Sequence, residues 1–303
     1  MRKSLVDSLL QYCQSPEFCV LCGDLGFNAL EPLKDKLSDR FINAGIAEQN
    51  MISVAAGIAQ SGMKPWVYSI SPFIYARAFE QVRNDICLQD LPICLIGSGA
   101  GYGYGIAGPS HHAIEDCGTM SCLQNMTVYI PSFKSDFDKL TPTIMNSEHP
   151  IYLRLGRDES SSNFSPPSFA NYRELVHGQE GVILALGSIS GMLADLCLEL
   201  SDKHRPSLWS CGKLPVNFDD IPQKLIEEII TNKYLLIVED HVSVGGLAEQ
   251  FVKCIVEHAV VPKKLYHRCA RGYISGLYGS QDFYRKENGL DEKSITYFLQ
   301  GIL

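Results

Sequence analysis

No Lys/Arg-rich run interrupts the 303 residues, and acidic side chains outnumber basic ones by 34 to 26. That balance lacks the electrostatic footprint of a nucleic-acid binder, so no nucleic-acid partner is expected. No apolar stretch approaches the roughly 20 residues of a membrane-spanning helix, so no membrane partner is expected either. The opening MRKSLVDSLLQYCQ carries basic residues but no unbroken apolar core, and reads as an amphipathic helix instead of a leader peptide. Charged residues make up only 20 % and hydrophobic ones 46 %, which excludes a disordered chain. The eleven cysteines are odd in number and irregularly spaced, and most sit in apolar runs. They argue against a disulfide framework and for a reducing, cytoplasmic setting.

Short β-like runs alternate with segments of helical period. The first half offers strands at 18–22, 41–44, 66–70, 92–97, 127–131 and 151–155, with helices at 47–60, 73–89 and 135–147. The Ser/Pro-rich stretch 158–179 breaks the rhythm and reads as a linker. The alternation then resumes, with strands at 181–187, 206–211, 234–240 and 264–270 and helices between them. This predicts an α/β chain of two domains, 1–157 and 180–303, each a mostly parallel sheet flanked by helices.

Several stretches carry candidate chemistry. In NAGIAEQNM (43–51), Glu48 heads a segment of small apolar residues and shares a helical face with Ile52, Ala55 and Ala59. A carboxylate there is either a solvated first-turn acid favoured by the helix dipole or a buried acid with a use. The loop GSGAGYGYGIAG (97–108) contains Gly103, Gly105 and Gly108 as GxGxxG, but Pro109 follows and the strand ends too early for a dinucleotide turn. In GPSHHAIED (108–116), Ser110 is a plausible cap for a helix running from Ala113 to Gln124, which sets His111 and His112 beyond a strand end, where open α/β sheets gather ligands. A zinc site from His111, His112, Cys117 and Cys122 lacks any familiar ligand spacing. Phe73 and Tyr75 stand at a helix head with Arg77, as core or as a stacking platform. Arg157 ends the last strand of the first half, where a guanidinium suits carboxylate or phosphate.

Taken together, RFINAGIAEQNMISVAAGIAQSG, AFEQVRNDICLQDLPI, GPSHHAIED with QNMTVYIPS, and IVEDHVSVGGLAEQF resemble the second half of transketolase-type thiamine diphosphate enzymes, and the matching region of 1-deoxyxylulose-5-phosphate synthase. The resemblance implies a pyrimidine-binding domain followed by a transketolase C-terminal domain, most like the small subunit of a split transketolase. It implies that Glu48 hydrogen-bonds N1′ of the cofactor aminopyrimidine, promoting loss of the thiazolium C2 proton. It further implies that Phe73 stacks on that ring with Ile46 beside it, that His111 acts on substrate as a catalytic group, and that His112, Tyr102 and Arg157 line the substrate path.

CGDLGFNAL (22–30) has GDLG where such enzymes use GDG to hold Mg²⁺ and diphosphate. No metal is therefore expected on this chain. A larger partner carrying the diphosphate-binding domain and Mg²⁺ is implied, in an assembly of two copies of each chain, acting on a sugar or aldehyde substrate. Counted back from His111, two positions that contact substrate in ordinary transketolases are Gly99 and Ala107, which implies a different substrate. A β-type subunit of a 2-oxoacid-decarboxylating carboligase and a non-catalytic partner subunit are the other readings.

Overall fold

Continuous apolar runs such as Phe18–Cys22 and Val182–Leu186 suit strands shielded on both faces. The computed structural model, which describes residues 1–161 and 164–302, buries every residue of both. Strands β1 (Phe18–Cys22), β2 (Phe41–Asn43), β3 (Lys64–Ile70), β4 (Cys94–Ser98), β5 (Thr127–Tyr129) and β6 (Ile151–Leu155) lie parallel in the order β5-β6-β4-β3-β1-β2. The second half holds β7 (Tyr172–Val176), β8 (Val182–Leu186), β9 (Ser207–Cys211), β10 (Lys213–Leu214), β11 (Leu235–Val242) and β12 (Leu265–Ala270). Five of these form a sheet in the order β12-β11-β8-β9-β7, in which only β7 runs antiparallel. The remaining strand, β10, crosses to pair antiparallel with β5, so main-chain hydrogen bonds tie the two halves together. Helices cover both sheets, and the fold is the expected α/β arrangement of two mostly parallel sheets.

Three local expectations change. The stretch 158–179 contains β7, whose Tyr172 and Val176 are buried at the sheet edge, so it is only partly a connection; its residues 162 and 163 lie outside the described residues. The segment 73–89 is not one helix. It breaks into Ser71–Tyr75, Phe79–Gln81 and a wider-wound turn Val82–Cys87. The helix expected from Ala113 begins only at Asp116 and ends at Ser121. The reason is that Ala113 exchanges both main-chain hydrogen bonds with Gly101, at 2.9 Å each, which holds it extended.

Cys19 and Cys22 have C-x-x-C spacing, a pattern of metal and redox sites. On a strand, residues three apart face opposite ways. Cys19 joins the core on one face of the sheet and Cys22 the core on the other, so the pair is structural.

On the second sheet, the imidazole of His267 (β12) lies 2.8 Å from the Glu239 carboxylate on β11. Burial alone would lower the His267 pKa, but hydrogen bonds to Cys269 and Glu239 and the carboxylate charge outweigh it and raise it to about 9. A pKa raised on folding stabilises the protein fully below the unfolded value near 6.5, and that contribution disappears as pH rises through about 9. The difference in urea midpoint between the natural chain and His267→Gln is therefore expected to be largest at pH 6 and to shrink steadily to pH 9.5. A difference that stays constant across this range would show that folding does not perturb His267.

Candidate functional site

The parallel strands of the first sheet deliver their following loops to one end, where ligands gather in such folds. Three loops build the site. The loop after β2 leads into helix Glu48–Gln60, the loop after β3 carries Phe73 and Arg77, and the loop after β4 carries the glycines and His111.

Glu48 is in the first turn of its helix and only 2 % exposed. The helix packs Met51, Ile52, Ala55, Ala56 and Ala59 into the core, which fixes the carboxylate against the sheet end. One oxygen, Oε2, accepts a 2.7 Å hydrogen bond from Arg77 Nη1. Among the described residues no donor meets Oε1. That oxygen would lie 3.5 Å from a Cβ built on Gly23, so the glycine leaves the approach to it open. The free acceptor suits a ligand N–H.

Arg77 leads from this carboxylate to a group of flat side chains. The Arg77 guanidinium lies 4.0 Å over the centre of the Phe73 ring. The His111 ring meets Phe73 edge-on at 5.3 Å and the Tyr104 ring at 5.9 Å. His111 Nδ1 is 2.9 Å from the Ser110 hydroxyl, so Ser110 orients the imidazole and does not cap a helix. Tyr104 fills the space that a side chain at Gly99 would need, since a Cβ there would fall 2.1 Å from its ring. The backbone at Gly99 also has a φ of +92°, which favours glycine. Ala107 sits in a short turn of the same loop, Gly105–Ala107. Arg77, which the sequence placed only beside the aromatic pair, gave no sign there of meeting Glu48. The helix ends after Tyr75, and the turn that follows brings Arg77 back toward Glu48.

The other expected residues divide. Arg157 is exposed, with Nη2 donating to Gly103 O at 3.2 Å, and it lines a cavity of about 1080 Å³ with Arg2, Gly99 and Tyr104. Ile46 is 79 % exposed beside Glu48. His112 and Tyr102 are not on the open side, which corrects their expected place on the substrate path. The Tyr102 hydroxyl donates to Gly272 O, and its ring stacks on Tyr284 at 5.1 Å. His112 stacks on Tyr273, and its Nε2–H donates to Gly105 O at 2.9 Å. Burial lowers the His112 pKa, so it is a neutral imidazole whose buried Nδ1 has no partner among the described residues. Both side chains fasten the glycine loop to the second half. Nearby, Tyr75 donates to Glu115 at 3.0 Å, and burial together with that carboxylate pushes its pKa up.

No metal cage arises from His111, His112, Cys117 and Cys122. Cys117 is fully buried and Cys122 is exposed, donating to Thr119 O. Among the described residues, only Glu174, His177 and Glu228 approach metal-ligand geometry, and the Lys224 ammonium already pairs with both carboxylates there. No helix among the described residues is long and apolar enough to cross a membrane.

Residues 7–161 match the family model described as transketolase, pyrimidine binding domain. The chain is 29 % identical to an apulose-4-phosphate transketolase subunit of Actinobacillus succinogenes, over 88 % of this chain and 86 % of that one. It is 31 % identical to the 1-deoxy-D-xylulose-5-phosphate synthase of Alkaliphilus oremlandii, over 86 % of this chain but only 42 % of the longer synthase. A solved structure described as a split gene transketolase, inactive beta4 tetramer, is 26 % identical with a TM-score of 0.81, and the match covers 99 % of this chain and 96 % of that one.

Proposed function

The chain belongs to the transketolase family, a thiamine diphosphate-dependent group, and from that membership we propose that it is the small subunit of a split transketolase, contributing the aminopyrimidine half of a cofactor site completed by a larger chain. The observation that carries this reading is Glu48. It is a buried carboxylate at the sheet end with one free acceptor, its other oxygen held by Arg77, whose guanidinium lies over the Phe73 ring that His111 meets edge-on.

Thiamine diphosphate, when bound, would supply a carbanion at C2 that takes a two-carbon ketol unit from a ketose and passes it to an aldehyde. The residues of this chain hold and tune it. Glu48 Oε1 would hydrogen-bond the ring N1′ and favour its imino form, and its apolar surroundings would strengthen that hydrogen bond and exclude water. Phe73 offers a face for the pyrimidine ring, next to Ile46. His111, oriented by Ser110, moves or stabilises a proton at the substrate oxygen. Arg157 receives an anionic end of the substrate in the adjoining cavity.

The larger chain would bring Mg²⁺ and the diphosphate-binding groups, in an assembly of two copies of each subunit. Exposed apolar side chains support such a docking face: Phe27 (73 %), Ile46 (79 %) and Ile106 (79 %) follow β1, β2 and β4 and so emerge at the site end of the sheet. The relative described as an inactive beta4 tetramer is consistent with a small subunit that does not work alone. Eleven unpaired cysteines go with a cytoplasmic setting. Gly99 and Ala107 offer no polar side chain to a substrate, and a site that cannot bond a hydroxyl discriminates little through it. With one relative named for apulose 4-phosphate, this supports a substrate other than the standard pentose phosphate pair.

The test is reconstitution. The isolated chain is expected to bind thiamine diphosphate with Mg²⁺ poorly by calorimetry and to turn over no ketose. Mixed with a diphosphate-binding subunit, it is expected to be active, with a higher specificity constant for another sugar or aldehyde than for xylulose 5-phosphate with ribose 5-phosphate. Tight cofactor binding by the chain alone would overturn the split-site reading. A preference for the standard pair would overturn the substrate reading.

A further inference from the structure

Strand β12 lies at the edge of the second sheet, and its side chains alternate between two faces. Tyr266 and Arg268 turn toward the last helix: the Tyr266 ring is 5.2 Å from Phe298, and the Arg268 guanidinium lies 4.1 Å over the same ring. His267 and Cys269 therefore share the opposite face. In the parallel register with β11, Glu239 stands beside Cys269 and Ile237 beside His267.

Glu239 is fully buried, and the main-chain N–H groups of Leu247 and Ala248, at the head of helix Leu247–Glu257, donate to its carboxylate at 2.6 and 3.0 Å. The same carboxylate accepts a 2.8 Å hydrogen bond from His267 Nε2. Cys269 is the next residue on the same face of the strand, beside this ion pair, and it too favours the charged imidazole. Carboxylate, imidazole and thiol thus form a chain of neighbours in that order, with the imidazole 24 % exposed and Cys269 partly open to solvent.

We propose that Cys269 is a reactive thiol, activated by His267 and Glu239, and a modification site for small electrophiles, hydrogen peroxide among them. The imidazole is already the most basic member of the chain, with its pKa raised to about 9, so at neutral pH it is the cation that favours a neighbouring thiolate. Glu239 holds the ring in place and balances that charge. None of these three residues belongs to the candidate active site.

The chemistry closes without a metal or cofactor. The Cys269 sulfur attacks one oxygen of peroxide, forming the S–O bond as the O–O bond breaks. The departing hydroxide takes a proton from the His267 imidazolium and leaves as water. Sulfur is oxidised by two electrons to the sulfenic acid, and peroxide is reduced.

The other cysteines supply the contrast within one molecule. Eight are buried, and burial raises the pKa of each. Cys254 is half-buried on a helix, where burial also raises it. Cys122 is the exposed one, with only a carbonyl at its sulfur.

The experiment is competitive labelling of the whole chain with limiting iodoacetamide at pH 7, mapped by peptide mass spectrometry, and in parallel peroxide followed by dimedone capture of sulfenic acid. Cys269 is expected to react about tenfold faster than Cys122, because the imidazolium beside it favours the thiolate. In His267→Gln that advantage is expected to vanish. Because this variant could lose stability, the natural chain is also labelled from pH 5.5 to 9.5, where the Cys269 rate is expected to level off at lower pH than the Cys122 rate. Equal rates at Cys269 and Cys122, coincident pH profiles, or an unchanged rate in a folded His267→Gln chain would each overturn the proposal.

Discussion

Glu48→Gln is expected to slow exchange of the thiamine C2 proton in the reconstituted enzyme by about 10² or more, the usual scale for removing a proton-transfer group. The substitution preserves shape but removes the charge and one acceptor oxygen. A carboxylate accepts at both oxygens, whereas a carboxamide must present one donor, and here both directions demand an acceptor: Arg77 Nη1 on one side and the open Oε1 approach on the other. The fold should survive. Arg77, the partner left behind, is 44 % exposed and can be solvated, and the carboxamide oxygen can still accept from it, so the stability loss is expected to be about 1 kcal/mol, the difference between a charged and a neutral hydrogen bond. The check is deuterium exchange at C2 of bound cofactor, with thermal unfolding of the same preparation. An unchanged exchange rate in a folded, assembled variant would remove Glu48 from the chemistry.

Asp116→Ala is expected to be the most damaging single change to stability, costing about 3–5 kcal/mol because it leaves a buried cation unpaired. Asp116 is fully buried and Arg154 is 2 % exposed. Arg154 Nε donates to the carboxylate at 2.9 and 3.0 Å, and the Tyr152 hydroxyl donates to it at 3.0 Å. The other end of the guanidinium donates to Ala113 O at 2.8 Å and to Asp240 O, on β11, at 3.1 Å. One arginine thus joins the last strand of the first sheet, the histidine loop and the second sheet. With total stabilities of about 5–15 kcal/mol, the loss could unfold the chain. Asp116→Asn, which keeps acceptor oxygen but not charge, is therefore measured beside it and should fall between. Asp90→Ala removes a comparable contact at the surface, where the Asp90–His149 pair is 38 % and 65 % exposed, and should cost about 1 kcal/mol or less. Urea midpoints at constant slope provide the comparison. A loss at Asp116 no larger than that at Asp90 would mean that Arg154 finds another partner or water.

Much of the architecture was legible because its signals are local. Strands such as Phe18–Cys22 and Val182–Leu186 are unbroken apolar runs, and a run of that length has few other uses. The position of Glu48 was legible for the same reason: an acid among small apolar residues at helical spacing is unusual enough to stand out. The Ser/Pro-rich stretch misled because β7 is short and follows two prolines, so composition outweighed a five-residue strand.

The sequence by itself determined the order of strands and helices, their parallel pairing and the presence of an acid at the head of a buried helix, since backbone periodicity and apolar patterning act over a few residues. Only the tertiary structure decided which side chains of the glycine loop face the site. Tyr102 and His112 are drawn inward by Gly272, Tyr273 and Tyr284, partners as far as 182 residues away (Tyr102 to Tyr284), while Tyr104 and His111 are left outside. Glycine permits many loop conformations locally, so the choice passed to the aromatic packing that buries the most surface. The meeting of Arg77 with Glu48, and of His267 with Cys269 and Glu239, was settled in the same way: by a helix break in one case and by strand register in the other.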